Sequence, residues 1–131
     1  MTLGELHVDT RDGIVYASIA GDVDMSNVQQ IRDGLGRATS NQALGLVLDL
    51  SHVDYLDSAG IHLIHTLHSS LRSHGQKLAL IIPQGSVIND ALRLAGIDWG
   101  NRLIAAPEDA PRAFGATAAQ AQGVGPTSAA G

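Results

Sequence analysis

Residues 44–50, Leu-Gly-Leu-Val-Leu-Asp-Leu, are the most constraining stretch of this 131-residue chain. The run is nearly continuous in apolar side chains and lacks the alternation of a strand with one wet face. A segment like this is a strand covered on both faces, as central parallel strands are. It demands strands beside it and layers above and below it.

The flanking sequence supplies both. Leu3 to Asp9 interleaves Leu6 and Val8 with polar residues, and Ile14 to Ala20 is β-branched and apolar. Asp12-Gly13 between them is a hairpin signal, so the two pair antiparallel. Gly21-Asp22-Val23-Asp24 interrupts the second run. Met25, Val28, Ile31 and Leu35 then recur at helical steps. Ser26-Asn27-Val28-Gln29 reads as a capping box, placing the helix start near Asp24 to Ser26. Gly34 and Gly36 weaken that helix by roughly 1 kcal/mol each relative to Ala.

After the central run, Ser51 to Leu56 reads as a loop or short extension. Asp57-Ser58 then opens a helix with the stripe Ile61, Ile64, Leu67 and Leu71, Leu63 on its flank, and Gly75 at its end. Lys77 to Ile82 is a strand closed by Pro83. Val87, Ile88, Ala91, Leu92 and Ala95 mark a third helix stopped by Gly96. Arg102 to Ala106 is a short strand, and Pro107 opens a last helix reaching about Phe114. The order β-β-α-β-α-β-α-β-α implies a single α/β domain over residues 1–114, with a mixed sheet of about five strands and four helices. Residues 115–131 are Ala, Gly, Gln, Ser, Thr and Pro with almost no bulky apolar side chain, and a disordered tail is expected there.

Composition excludes several function classes. Thirteen acidic residues against eight basic ones give a net charge of -5. That balance opposes nucleic acid and anionic membranes, both of which want basic surfaces. There is no cysteine, hence no disulfide, thiolate nucleophile or cysteine-bound metal. No basic-apolar leader and no apolar run of ~18 residues is present, so the expected location is the cytoplasm, without membrane contact. Aromatics are only 3 %, so the core must be aliphatic.

The candidate site is the turn Asp57-Ser58-Ala59-Gly60, where a strand feeds a helix. A helix N-terminus offers unpaired N–H groups and partial positive charge, which suits a phosphoserine at Ser58. Gly60 has no side chain and would let a partner approach. From spacing alone, Asp57 or Ser58 reads first as a plain N-cap, since helix caps are far commoner than phosphosites. His62, His65 and His68 fan too widely over the helix surface for one metal ion and read as a solvated or partner-facing surface. A serine hydrolase is excluded because Leu56 occupies the first glycine position of G-x-S-x-G. No phosphate-binding G-x-x-x-x-G-K-[ST] loop occurs. A phosphoacceptor aspartate needs an acidic cluster for magnesium and a later lysine. Asp49 lies inside its strand and Lys77 starts a strand of its own, so Asp49 reads as an aspartate tied to backbone N–H groups nearby.

Three ordered motifs carry a family resemblance. Leu48-Asp49-Leu50-Ser51 precedes Asp57-Ser58-Ala59-Gly60; Gly21-Asp22-Val23-Asp24 precedes the first helix; and Lys77 to Pro83, Val87 and Leu92 to Asp98 follow in turn. Together they resemble STAS domains, specifically anti-sigma factor antagonists, over about residues 3 to 114. The resemblance implies a binding protein and not an enzyme, with no cofactor, no metal and no catalytic residue. It implies that the unphosphorylated form captures an anti-sigma factor of histidine-kinase-like ATPase fold. That partner is also a serine kinase, which phosphorylates Ser58 and is released, and a serine phosphatase restores the starting state. Asp22, Asp24, Asp57, Ala59, Gly60 and His62 at the exposed start of the helix would contact the kinase. STAS domains also serve as subunits of transporters and sensory assemblies, the alternative role.

Overall fold

A computed structural model describes residues 5–83, 85–94 and 103–115. Five strands form one sheet in the order β1-β2-β3-β4-β5: β1 Glu5–Arg11, β2 Ile14–Val23, β3 Gly45–Leu56, β4 Lys77–Ile81 and β5 Leu103–Ile104. β1 and β2 are antiparallel, and every other neighbouring pair is parallel. The hairpin turns on Asp12 and Gly13, at φ 54° and 79°, the double left-handed geometry of a type I′ turn. The helices are α1 Val28–Ala38, α2 Ser58–Ser73, α3 Val87–Leu94 and the short α4 Ala110–Ala113, which follows a 3-10 turn at Pro107–Asp109.

The central run is covered on both faces, as its lack of alternation requires. Leu46, Leu48 and Leu50 point to the helical layer, where Ile31 and Leu35 of α1, Leu63, Ile64 and Leu71 of α2, and Ile88 and Leu92 of α3 meet them. Val47 points the other way, into a smaller cluster with Ile14, Ala79, Ile81, Ala110 and Phe114. Each such fully buried aliphatic side chain contributes about 1.5–3 kcal/mol. Leu63, expected on the flank of its helix, is among the most buried residues at 1 % exposure, whereas Ile61 and Leu67 are only half-buried. The α2 stripe is therefore centred on Leu63, Ile64 and Leu71.

Two glycines are explained by close approach. A Cβ on Gly45 would lie 2.3 Å from the Lys77 carbonyl oxygen, and one on Gly34 would lie 2.6 Å from Leu6 Cδ2. Gly34 weakens α1 as a helix but lets β1 and α1 close on each other.

Several boundaries differ from the sequence expectation. β2 does not break at Gly21 but runs to Val23, and β3 runs to Leu56. The two polar-looking extensions pair with each other, Asp22 beside Tyr55 and Val23 beside Leu56, across register shifts. α1 starts at Val28, not near Asp24, and Asn27 at its N-cap makes no side-chain capping bond. Met25 lies outside the helix and is 79 % exposed, so it is no part of the α1 stripe. Ala95, the Gly96 stop, Arg102 and the 116–131 part of the tail lie outside the described residues. Among the described residues no helix is long and apolar enough to cross a membrane.

Candidate functional site

Parallel pairing brings the carboxyl ends of β2 and β3 to one edge of the sheet. The loop before α1 and the start of α2 meet there. Asp57 is the N-cap of α2: its backbone is extended and its Oδ1 accepts from the Gly60 N–H at 3.0 Å. Its Oδ2 accepts from the Met25 N–H at 3.3 Å. Its own N–H donates to the Val23 carbonyl at 3.1 Å. One residue thus ties the helix start to both the end of β2 and the loop beyond it.

Ser58, the first residue of α2, is exposed. Its hydroxyl has no hydrogen-bond partner among the described residues. The cap role falls to Asp57, which leaves the Ser58 oxygen free at the positive end of a 16-residue helix. The plain N-cap reading therefore holds for Asp57 and not for Ser58.

The loop is built by short polar side chains. Asp24 accepts from the Ser26 hydroxyl and from the Ser26 N–H at 2.9 Å. These bonds, the hydroxyl's first, hold the Asp24 carboxyl below its ordinary value. Asn27 is buried: its Oδ1 accepts from the Asp24 N–H at 3.1 Å and its Nδ2 donates to the Asp22 carbonyl at 2.8 Å. Asp24 to Ser26 thus forms an Asx-type turn clamped by the Asn27 amide, and the capping box expected over Ser26 to Gln29 is not what starts the helix.

The expected contact residues divide. Asp24 and Ala59 are partly exposed and His62 is exposed, all at the same edge. Asp22 is not a loop residue; it is a half-buried member of β2. Gly60 is buried, and a Cβ on it would lie 2.5 Å from Leu56 Cδ1 and 3.1 Å from Val23 Cγ1. Its missing side chain makes room inside the molecule and not for an approaching partner, which corrects the expectation. Met25 and Tyr55, 79 % and 55 % exposed, are large apolar residues near this edge that the sequence did not single out as a surface. Met25 was hidden by its helical spacing from Val28. His65 is exposed and His68 half-buried. Asp49 Oδ1 accepts from the N–H and hydroxyl of Ser51, the backbone tie expected of it.

A 104-residue alignment is 27 % identical to the anti-sigma-F factor antagonist RsfB of Mycobacterium tuberculosis, covering 79 % of this chain and 83 % of that protein. The crystal structure of an anti-sigma factor antagonist from Mycobacterium paratuberculosis has a TM-score of 0.74 and 22 % identity, covering 86 % of this chain and 94 % of that one. The Bacillus cell fate determinant SpoIIAA in its phosphorylated form has a TM-score of 0.64 and 20 % identity, covering 84 % and 97 %. The two structures establish a shared fold. Residues 5–110 match the sequence model of the STAS domain, and with that span covering the sheet, the helical layer and the Ser58 turn, the chain belongs to the STAS domain family.

Proposed function

We propose that this protein is an anti-sigma factor antagonist of the cytoplasm, working by partner switching. In this reading the unphosphorylated form binds an anti-sigma factor that is also a serine kinase. Transfer of phosphate to Ser58 ends the complex, and a serine phosphatase resets it. The protein binds and is modified; none of its own residues is catalytic.

The single observation that carries the reading is the exposed, unpartnered hydroxyl on the first residue of α2. Its support is physical. Phosphorylation adds about -1.5 to -2 charge at a contact surface. The helix N-terminus accommodates that charge in the free protein, while Asp57 and Asp24 beside it are acidic. A partner surface fitted to a neutral hydroxyl would have to desolvate a dianion. A loss of ~3 kcal/mol weakens binding more than a hundredfold, and no refolding is needed. The names of the relatives agree with this role. Asp24, Ala59, His62 and the exposed face of Asp57 are the proposed contacts, with Asp22 reaching the edge from β2; Gly60 supports them from inside.

The test is a titration of wild type, Ser58→Ala and Ser58→Asp against the cognate kinase. The Ala variant should bind and resist release by ATP, and the Asp variant should bind at least about a hundredfold more weakly. Equal affinity of all three refutes the mechanism. Incubation with the kinase and ATP should place the phosphate on the Asp54 to Leu63 peptide by mass spectrometry. A pull-down that recovers a transporter ATPase would favour the alternative role as a soluble transporter subunit.

A further inference from the structure

The strand order begins with β1, so among the described residues nothing pairs with its outer side. We propose that this edge is the contact surface of a symmetric homodimer. In it, β1 of two copies pairs antiparallel about a two-fold axis at Val8 and joins their sheets.

The backbone is the first argument. Free sheet edges are usually blunted by shortness, proline, lysine or a bulge. β5, at the other edge, is only two residues long. β1 runs for seven residues without proline or lysine. Its register with β2 has no shift, unlike that of β2 with β3. The two-residue turn at Asp12-Gly13 makes Arg11 and Ile14 a hydrogen-bonded pair. Alternation along the antiparallel ladder then turns the backbone groups of Asp9, His7 and Glu5 toward β2 as well. The N–H and C=O groups of Leu6, Val8 and Thr10 point outward. Pairing two copies about Val8 sets Val8 opposite Val8 and Leu6 opposite Thr10, and every outward donor meets an acceptor.

Charge is the second. Leu6, Val8 and Thr10 lie opposite Ile19, Ala17 and Val15 on the helical face of the sheet. Glu5, His7, Asp9 and Arg11 occupy the other face. About Val8 their order is self-complementary: Glu5 meets Arg11 of the second copy, and His7 meets its Asp9. These are non-hydrogen-bonded positions, where facing side chains stand closest. An axis at His7 would set Glu5 against Asp9, and one at Asp9 would set Asp9 against itself and His7 against Arg11. Axes at Leu6 or Thr10 shorten the ladder. Only Val8 satisfies the full strand and its charges together. Arg11 now pairs with its own Asp9 at 3.2 Å and lies 4.4 Å over the Tyr16 ring. It holds donors to spare for a second carboxylate on that face.

Apolar cover is the third. Val8 is 42 % exposed, and its counterpart across the axis would cover it. Ser58 follows β3, with β2 between that strand and β1. The dimer therefore stands or falls apart from the role of Ser58.

Strand pairing alone covers little area, so the dimer is weak and forms at high concentration. Sedimentation of the full chain from ~10 µM to ~1 mM should show the mass rising toward twice the monomer. Hydrogen exchange followed by NMR should show the amides of Leu6, Val8 and Thr10 gaining protection over that range. Those of His7, Asp9 and Arg11, already bonded to β2, should keep theirs throughout. Glu5→Lys and Arg11→Glu should each weaken self-association about tenfold, and an equal mixture of the two should recover it as a heterodimer. Val8→Pro, which removes an outward N–H and none that serves β2, should be monomeric. Circular dichroism melts check that the variants stay folded. A wild-type chain still monomeric at ~1 mM, concentration-dependent protection confined to other amides, or a mixture of folded charge variants no tighter than either alone overturns the proposal.

Discussion

Replacing Asp57 by Ala tests how the site is assembled. The carboxylate makes two bonds of different kinds. One, to the Gly60 N–H at 3.0 Å, caps α2; the other, to the Met25 N–H at 3.3 Å, crosses to the loop before α1. Losing an N-cap carboxylate costs about 1 kcal/mol. The second bond is longer and exposed, and adds about 0.5 kcal/mol. The Ala variant should therefore be about 1.5 kcal/mol less stable in urea unfolding, with a melting temperature about 3–8 °C lower for a domain of this size. Asp57→Asn separates the two terms. Its amide oxygen can still cap the helix, since Asn ranks with Asp at this position, but its second atom is a donor and cannot accept from Met25. The Asn variant should lose no more than about 0.5 kcal/mol. An Ala variant within about 0.3 kcal/mol of wild type, or an Asn variant as damaged as the Ala one, would refute this account of the cap.

Other perturbations probe the frame. Leu71→Ala removes a side chain that is 6 % exposed on the core face of α2, and should cost about 2–5 kcal/mol in denaturant unfolding while leaving partner binding by the folded fraction intact. Gly45→Ala sets a methyl against the Lys77 carbonyl, a backbone atom with no rotamer to escape into. It should cost about 1–3 kcal/mol, and a variant as stable as wild type would mean that β3 and β4 are spaced more widely. The Asp24 carboxyl is held low by Ser26, so its help to the loop is whole above the ordinary carboxylate pKa and lost as pH falls through its own lowered value. An NMR titration should find that Ser26→Ala raises the Asp24 midpoint toward the ordinary value; an unmoved midpoint would contradict the assignment.

Most of the frame was legible because burial leaves a direct trace in sequence. The unbroken apolar run announced a doubly covered strand, Asp12-Gly13 announced the left-handed hairpin turn, and the aliphatic steps after Asp57 announced α2. What was not legible depends on pairing. Gly21-Asp22-Val23 and Ser51 to Leu56 look like loops because half their side chains face water. They are strands because each is the other's neighbour, and that choice is made in three dimensions. Met25 continued a helical rhythm by coincidence, since the Asp24 turn and the buried Asn27 amide hold the chain out of the helix there. At the site, Asp57 and Ser58 were legible as cap and candidate acceptor. Gly60 was misread because a missing side chain gives no sign of which way the space it leaves will face; Leu56 and Val23 fill that side.

The Asp57 tether has one more implication. With one carboxylate oxygen on α2 and the other on the Met25 amide, and with Asn27 bolting the same loop from beneath, the acidic loop and the Ser58 hydroxyl form a single stiff platform. A protein that docks there meets a shape already set, so little ordering entropy is spent on recognition. A change of side chain at Ser58 would therefore alter that surface without disturbing the bonds that hold the loop.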